Sequence, residues 1–145
     1  MYSFILEAKE VAEARADMRQ VYLNSGKTSQ QWDEKFSAIG QVFNCPFGIR
    51  KTSRFFAWRD DLMNIRGLLK CDFQDTTCMV EDVISLGGLN HMFEDLKVYC
   101  KNGYVGPKVT QLRLNAANAG LKETYKAIGF TLESESGSAM NLFLS

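Results

Sequence analysis

The spacing of apolar residues changes several times along the chain, and each change marks an element. Residues 2–8, YSFILEA, form a short apolar and aromatic run that predicts a first strand. The next stretch, AKEVAEARADMRQVYLNSG, carries apolar residues at Val11, Ala14, Met18 and Val21 or Tyr22. That is helical spacing, and Gly26 ends it. A second helix is predicted over 30–44, with Thr28 or Ser29 as its cap and Trp32, Phe36, Ile39 and Phe43 as its apolar stripe. Asn44 and Pro46 mark its end.

From residue 53 the pattern becomes strand-like. SRFFAWRDDLMNIRGLLKCDFQ reads as two strands joined in a hairpin around DDLMN, and CMVEDVISL as a further strand. Residues 89–102 return to helical spacing, with Leu89, Met92 or Phe93, Leu96 and Tyr99 or Cys100 apolar and Gly103 at the end. KVTQLRLNA predicts a strand. NAGLKETYKAIG predicts a helix opened near Asn118 and closed by Gly129, and the last residues predict two strands around ESGS. The order β-α-α-β-β-β-α-β-α-β-β describes a mixed α/β (α+β) chain on one central sheet, read as one domain over 1–145.

Composition narrows the function classes. Seventeen basic residues balance seventeen acidic ones, which argues against a dedicated polyanion binder. Only the local group Arg50, Lys51, Arg54 and Arg59 speaks for nucleic acid. Cys45, Cys71, Cys78 and Cys100 form no C-x-x-C pair, and the single His91 completes no familiar zinc site, so no metal is expected. No apolar run is long enough to span a membrane, and the N-terminus meets acid too soon for a signal peptide. The expected setting is soluble and cytoplasmic, with reduced thiols.

One tempting motif fails on mechanism. SGKTS at 25–29 resembles the end of a nucleotide-triphosphate loop, yet the position of the first glycine is Val21 and a helix precedes it. A helix stop at Gly26 and a cap at Thr28 explain these residues.

The C-terminal half carries a stronger pattern. Asn118, Leu121, Tyr125, Gly129 and Phe130 recur at set intervals in NAGLKETYKAIGF, after the strand VTQLRL. Upstream, VISLGGLNHMF runs from a strand through Gly87 and Gly88 into a helix. These residues, with the element order, resemble the Gcn5-related N-acetyltransferase family. The motif covers about 50 residues and the topology the whole chain. The resemblance implies a mostly antiparallel sheet splayed between its fourth and fifth strands, with acetyl-coenzyme A as co-substrate and an amine as acceptor. A homodimer is also implied, and AMNLFLS is a terminal strand that could pair or pack.

The resemblance further implies roles for named residues. Val83, Ile84, Ser85, Gly87, Gly88, Leu89 and Asn90 would line the coenzyme, its pyrophosphate lying on backbone N–H groups at the helix start. Asn118 would cap the last helix or touch the pantetheine arm. Tyr125 would protonate the leaving thiolate, or else be a buried aromatic. Successive strand residues point to opposite faces, so only one of Glu81 and Asp82 can face the cleft. Glu81 would be the general base, or else a solvated strand residue. His91 is a base by its ordinary pKa but a surface residue by position. The family pattern of Gln or Arg, two residues, Gly, one residue, Gly or Ala is altered here. Ser85 stands on its first position and Asn90 on its last. A protein that keeps the fold as a binding or assembly module is therefore the alternative to an enzyme.

Overall fold

The computed structural model describes residues 2–36, 51–103, 106 and 108–144. The elements are β1 (Tyr2–Leu6), α1 (Val11–Asn24, after a 3-10 turn at Ala8–Glu10), α2 (Ser29–Phe36), β2 (Ser53–Arg59), β3 (Ile65–Gln74) and β4 (Thr77–Ser85). Then follow α3 (Leu89–Val98, extended by a π-helical turn at Tyr99–Gly103), β5 (Gln111–Asn115), α4 (Ala119–Ile128), β6 (Thr131–Leu132) and β7 (Ala139–Phe143). This is the predicted order. The second half of the expected second helix, with Ile39 and Phe43, lies outside the described residues, as do Cys45 and Arg50.

Local chemistry accounts for the boundaries. Thr28 and Gln31 form a reciprocal cap at the start of α2. The Gln31 N–H donates to Thr28 Oγ1 at 3.1 Å, and the Thr28 N–H donates to Gln31 Oε1 at 2.8 Å. Gly26, at φ +90°, turns the chain between α1 and α2. The β2–β3 turn is held by Asp60, whose carboxylate accepts from the N–H groups of Leu62 and Asn64 and from Arg66 Nε.

Seven strands form one sheet in the order β1-β2-β3-β4-β5-β7-β6. All neighbours are antiparallel except β4 and β5. The terminal strand β7 is inserted between β5 and β6, so the AMNLF segment packs within the sheet. One face is covered by α1 and α2, where Met18, Trp32 and Phe36 meet Phe55, Leu68 and Ile84. The other is covered by α3 and α4, where Met92, Phe93, Leu96 and Tyr125 meet Trp58, Leu69, Leu112 and Met140. Most of the described aromatic residues are therefore core.

Gly67 lets α3 approach the sheet. A Cβ there would lie 2.5 Å from Met92 Sδ, and Met92 is fully buried. Gly67→Leu is expected to destabilise the protein by about 1–3 kcal/mol, the usual cost of overpacking. Urea unfolding checks this, and an unchanged midpoint would refute it.

Two register features shape the middle of the sheet. The parallel β4–β5 ladder covers only Thr77–Met79 against Gln111–Arg113. Beyond it the two strands separate, as expected for the fourth and fifth strands. In the β3–β4 ladder, Lys70 pairs with Asp82 and Cys71 with Val80, so Glu81 is the extra residue of a bulge. The bulge exchanges the faces of β4. Cys78 and Val80 point into the α3–α4 core, whereas Ile84 points into the α1–α2 core.

Candidate functional site

Where β4 and β5 part, a cleft of about 400 Å³ opens. Val80 to Val83 and Ser85 form one wall, Leu114, Asn115 and Ala117 the other, and Leu89, Leu121 and Tyr125 the side toward α3 and α4. Lys35 and Phe36 close the end toward α2.

The bulge brings both acidic residues to this cleft. Strict alternation would have shown it only one. Their environments differ sharply. Glu81, the carboxylate expected to act as base, bonds the Lys70 ammonium at 3.1 Å, and that lysine side chain is fully buried. Asp82 is 6% exposed, and its Oδ2 has no hydrogen-bond partner. Burial is the largest influence on its proton affinity and pushes its pKa up to about 7. The Val83 backbone N–H, Arg15 and Lys70 pull in the opposite direction and do not prevail. Sequence reasoning preferred Glu81 and passed over Asp82. A lysine inside the apolar run GLLKCDF signals a carboxylate partner in the adjoining strand, and that partner is Glu81, so no signal in the sequence singles out Asp82.

Tyr125 lies on α4 with its ring against Phe93 and Phe130, at centroid distances of 5.8 and 5.9 Å. Its hydroxyl makes no hydrogen bond among the described residues. Burial, then the nearby Asp82 charge, push its pKa up to about 12, so it is a neutral phenol at neutral pH. The Tyr-x-x-x-Gly-Phe spacing has a local explanation. Gly129, at φ +123°, ends α4, and the Gly129 and Phe130 N–H groups both donate to the Tyr125 carbonyl. The same turn sets the Phe130 ring beneath Tyr125.

The glycine unit lies at the mouth of the cleft. Gly87 and Gly88 have φ values of +110° and +80° and are exposed between Ser85 and Leu89. Gly88 is the N-cap of α3, and no side chain caps that helix. Its first N–H donors are thus without a side-chain acceptor, the arrangement an anion can use. Ser85 changes the turn before them. Its hydroxyl accepts from the Gly87 N–H at 3.1 Å and donates to the Gly87 carbonyl at 2.8 Å.

Other expected residues lie apart from the cleft. The Ile84 side chain packs under α1, on the opposite face. Asn90 is exposed on the first turn of α3. Asn118 caps α4, its Oδ1 accepting from the Leu121 N–H at 2.9 Å. His91 is half exposed and lies 3.4 Å from Asp95, whose carboxylate also accepts from Trp58 Nε1. No cluster of metal-binding side chains occurs among the described residues. No described helix is long and apolar enough to cross a membrane.

No protein-family model matches the sequence, and no curated protein matches it. Solved structures do match by fold. A point mutant of the spermidine N-acetyltransferase SpeG from Vibrio cholerae aligns over 99% of this chain and 95% of its own, with 13% identity and a TM-score of 0.60. Tetrahymena Gcn5 aligns over 78% and 81%, with 10% identity and a TM-score of 0.59. Nourseothricin acetyltransferase aligns over 66% and 67%, with 16% identity and a TM-score of 0.53. Together with the parallel, splayed β4–β5 pair inside an otherwise antiparallel sheet, these similarities show that the chain has the fold of the Gcn5-related N-acetyltransferase superfamily.

Proposed function

We propose that the protein is an acyl-coenzyme A-dependent N-acyltransferase, with acetyl-coenzyme A as donor and an amine as acceptor. The observation that carries this is the content of one opening. A helix start without a side-chain cap lies at its mouth, and a buried carboxyl with one unbonded oxygen and the Tyr125 phenol lie within it. The residues present fit the donor. Its pyrophosphate would lie on the Gly87–Asn90 backbone at the start of α3, and its pantetheine arm against Val83, Leu89 and Leu121, which line the cleft.

The chemistry follows from the two groups. Acyl transfer to an amine forms a C–N bond and breaks the C–S bond. The amine gives up a proton, and the departing sulfur must gain one. Asp82, with a pKa of about 7, is ionised enough at neutral pH to accept the amine proton, directly or through a water. It returns that proton to solvent. Tyr125, at about 12, is a far weaker acid than a thiol of ordinary pKa, about 8.5. Full transfer of its proton to the thiolate is uphill by roughly 3.5 pKa units, so Tyr125 acts as a hydrogen-bond donor to the leaving sulfur, which takes its proton from solvent. Glu81 stays with Lys70 and shapes the bulge.

A second reading is favoured by one observation. Ser85 takes the position of the usual Gln or Arg, and its hydroxyl already occupies the Gly87 N–H. On that reading the fold serves binding or assembly without coenzyme A.

A thermal shift with acetyl-coenzyme A, on wild type and on Gly88→Glu, separates the two. Ligand at 100 times its Kd stabilises a folded protein by about 2.7 kcal/mol. A rise in wild type that is lost in Gly88→Glu supports the proposal, because a carboxylate at the helix start blocks and repels the pyrophosphate. No rise in a folded wild type supports the binding module.

A further inference from the structure

The cleft holds two neighbouring carboxylates, and something must make them behave differently. Lys70 occupies the position from which that can be done. It lies on β3 between Leu69 and Cys71, both fully buried, and its own side chain is fully buried too. It is the cross-strand partner of Asp82, and the register breaks immediately after it. Its Nζ reaches the extra residue of the bulge and bonds Glu81 Oε1 at 3.1 Å. One ammonium therefore touches the residue that makes the bulge and stands opposite the residue with an unbonded carboxylate oxygen.

We propose that Lys70 is a positioning residue for the acyl-transfer site: its buried ammonium clamps Glu81 into the β4 bulge and leaves Asp82, across the strand pair, as the carboxylate free to exchange a proton. This deepens the acyltransferase reading and rests on it for the use of that proton. The clamp itself is a property of the fold and can be measured without any acceptor.

The electrostatic surroundings of Asp82 come from five elements. Arg15 faces it from α1 and Lys70 from β3, both favouring its ionised form. Glu81 is its neighbour on β4 and is balanced by Lys70. Tyr125 faces it from α4, and Lys35 of α2 lines the same cleft. Removing either partner of the clamp disturbs this set in opposite senses. Lys70→Met takes away a positive charge and leaves Glu81 uncompensated, so Asp82 holds its proton more tightly. Glu81→Gln takes away a negative charge beside Asp82, so Asp82 holds its proton more loosely. A buried lysine that served only packing would produce no such pair of signs.

The test is a carboxyl 13C NMR titration of Asp82 in wild type, Lys70→Met, Glu81→Gln and the double variant Lys70→Met/Glu81→Leu, with Asp82→Asn assigning the resonance. The expected midpoint moves up by about one pH unit or more in Lys70→Met and down in Glu81→Gln, as for a nearby charge added or lost. In the double variant, which replaces an ion pair by apolar side chains and so keeps the fold, it returns close to the wild-type value. Unmoved midpoints in the single variants, or shifts of the same sign, would overturn the proposal. Where Lys70→Met does not fold, Lys70→Gln is read in its place, and an unmoved midpoint there would overturn the proposal. Failure of acetyl-coenzyme A to bind would defeat the acyltransferase reading while leaving these midpoints unchanged, so the two failures are distinguishable.

Discussion

Asp82→Asn is expected to lower acyl transfer by about 10²–10⁴-fold in kcat/KM, the usual contribution of a positioned base. It should do so while making the fold less sensitive to alkaline pH. Burial pushes the pKa of this acid in the folded protein up to about 7, from an ordinary aspartate value of 3.8. Its folded pKa is thus raised, so between about pH 4 and pH 7 the folded state binds more protons than the unfolded state. Stability therefore falls as pH rises through that window and levels above it. From pH 5 to pH 8.5 the two units above pH 5 correspond to about 2–3 kcal/mol. Asparagine has no such titration and its Oδ1 can keep the bond from the Val83 N–H. Urea unfolding at the two pH values should show wild type losing about that much more stability than the variant. Equal pH dependence would mean that Asp82 is an ordinary carboxylate. In activity, the acid limb near pH 7 should be present in wild type and absent from whatever rate the variant retains.

Tyr125→Phe is expected to reduce turnover by about 10²-fold with little change in stability. The hydroxyl has no hydrogen-bond partner among the described residues, so its removal leaves no protein group unsatisfied. The ring keeps its edge contacts with Phe93 and Phe130. Binding of acetyl-coenzyme A should be unaffected, because the hydroxyl acts on the departing sulfur. Steady-state kinetics beside a thermal melt checks this. A loss under about threefold would make Tyr125 a packing residue, and a marked drop in melting temperature would reveal a structural role for the hydroxyl. Asp82→Asn and Tyr125→Phe share one signature, activity lost while the fold is kept. That separates them from core variants such as Gly67→Leu, where stability falls first.

Much of this architecture was legible before the fold was seen. Thr28, Gly26, Asn118 and Gly129 act locally through caps and turns, so their roles are written in a few neighbouring residues. The alternation of β5 and the helical spacing of α3 and α4 are likewise short-range. The β4 bulge was not legible. CMVEDVIS alternates buried and part-exposed residues without interruption, because both faces of the sheet are covered by helices. The exchange of faces at Glu81 therefore leaves no mark in the pattern, and only the register with β3 exposes it. The same holds for Asp82. Its unusual proton affinity comes from burial, and the lysine in the apolar strand β3 pairs with Glu81 instead.

The central claim is that the opening between β4 and β5 receives acyl-coenzyme A. Titration of acetyl-coenzyme A into uniformly 15N-labelled protein, followed by backbone amide shifts, tests it most directly. The account predicts that the largest shifts fall on residues 83–91 and on residues 114–125, and that Gly88→Glu suppresses them. Saturating shifts on other elements, or none at concentrations where the protein stays folded, would contradict it.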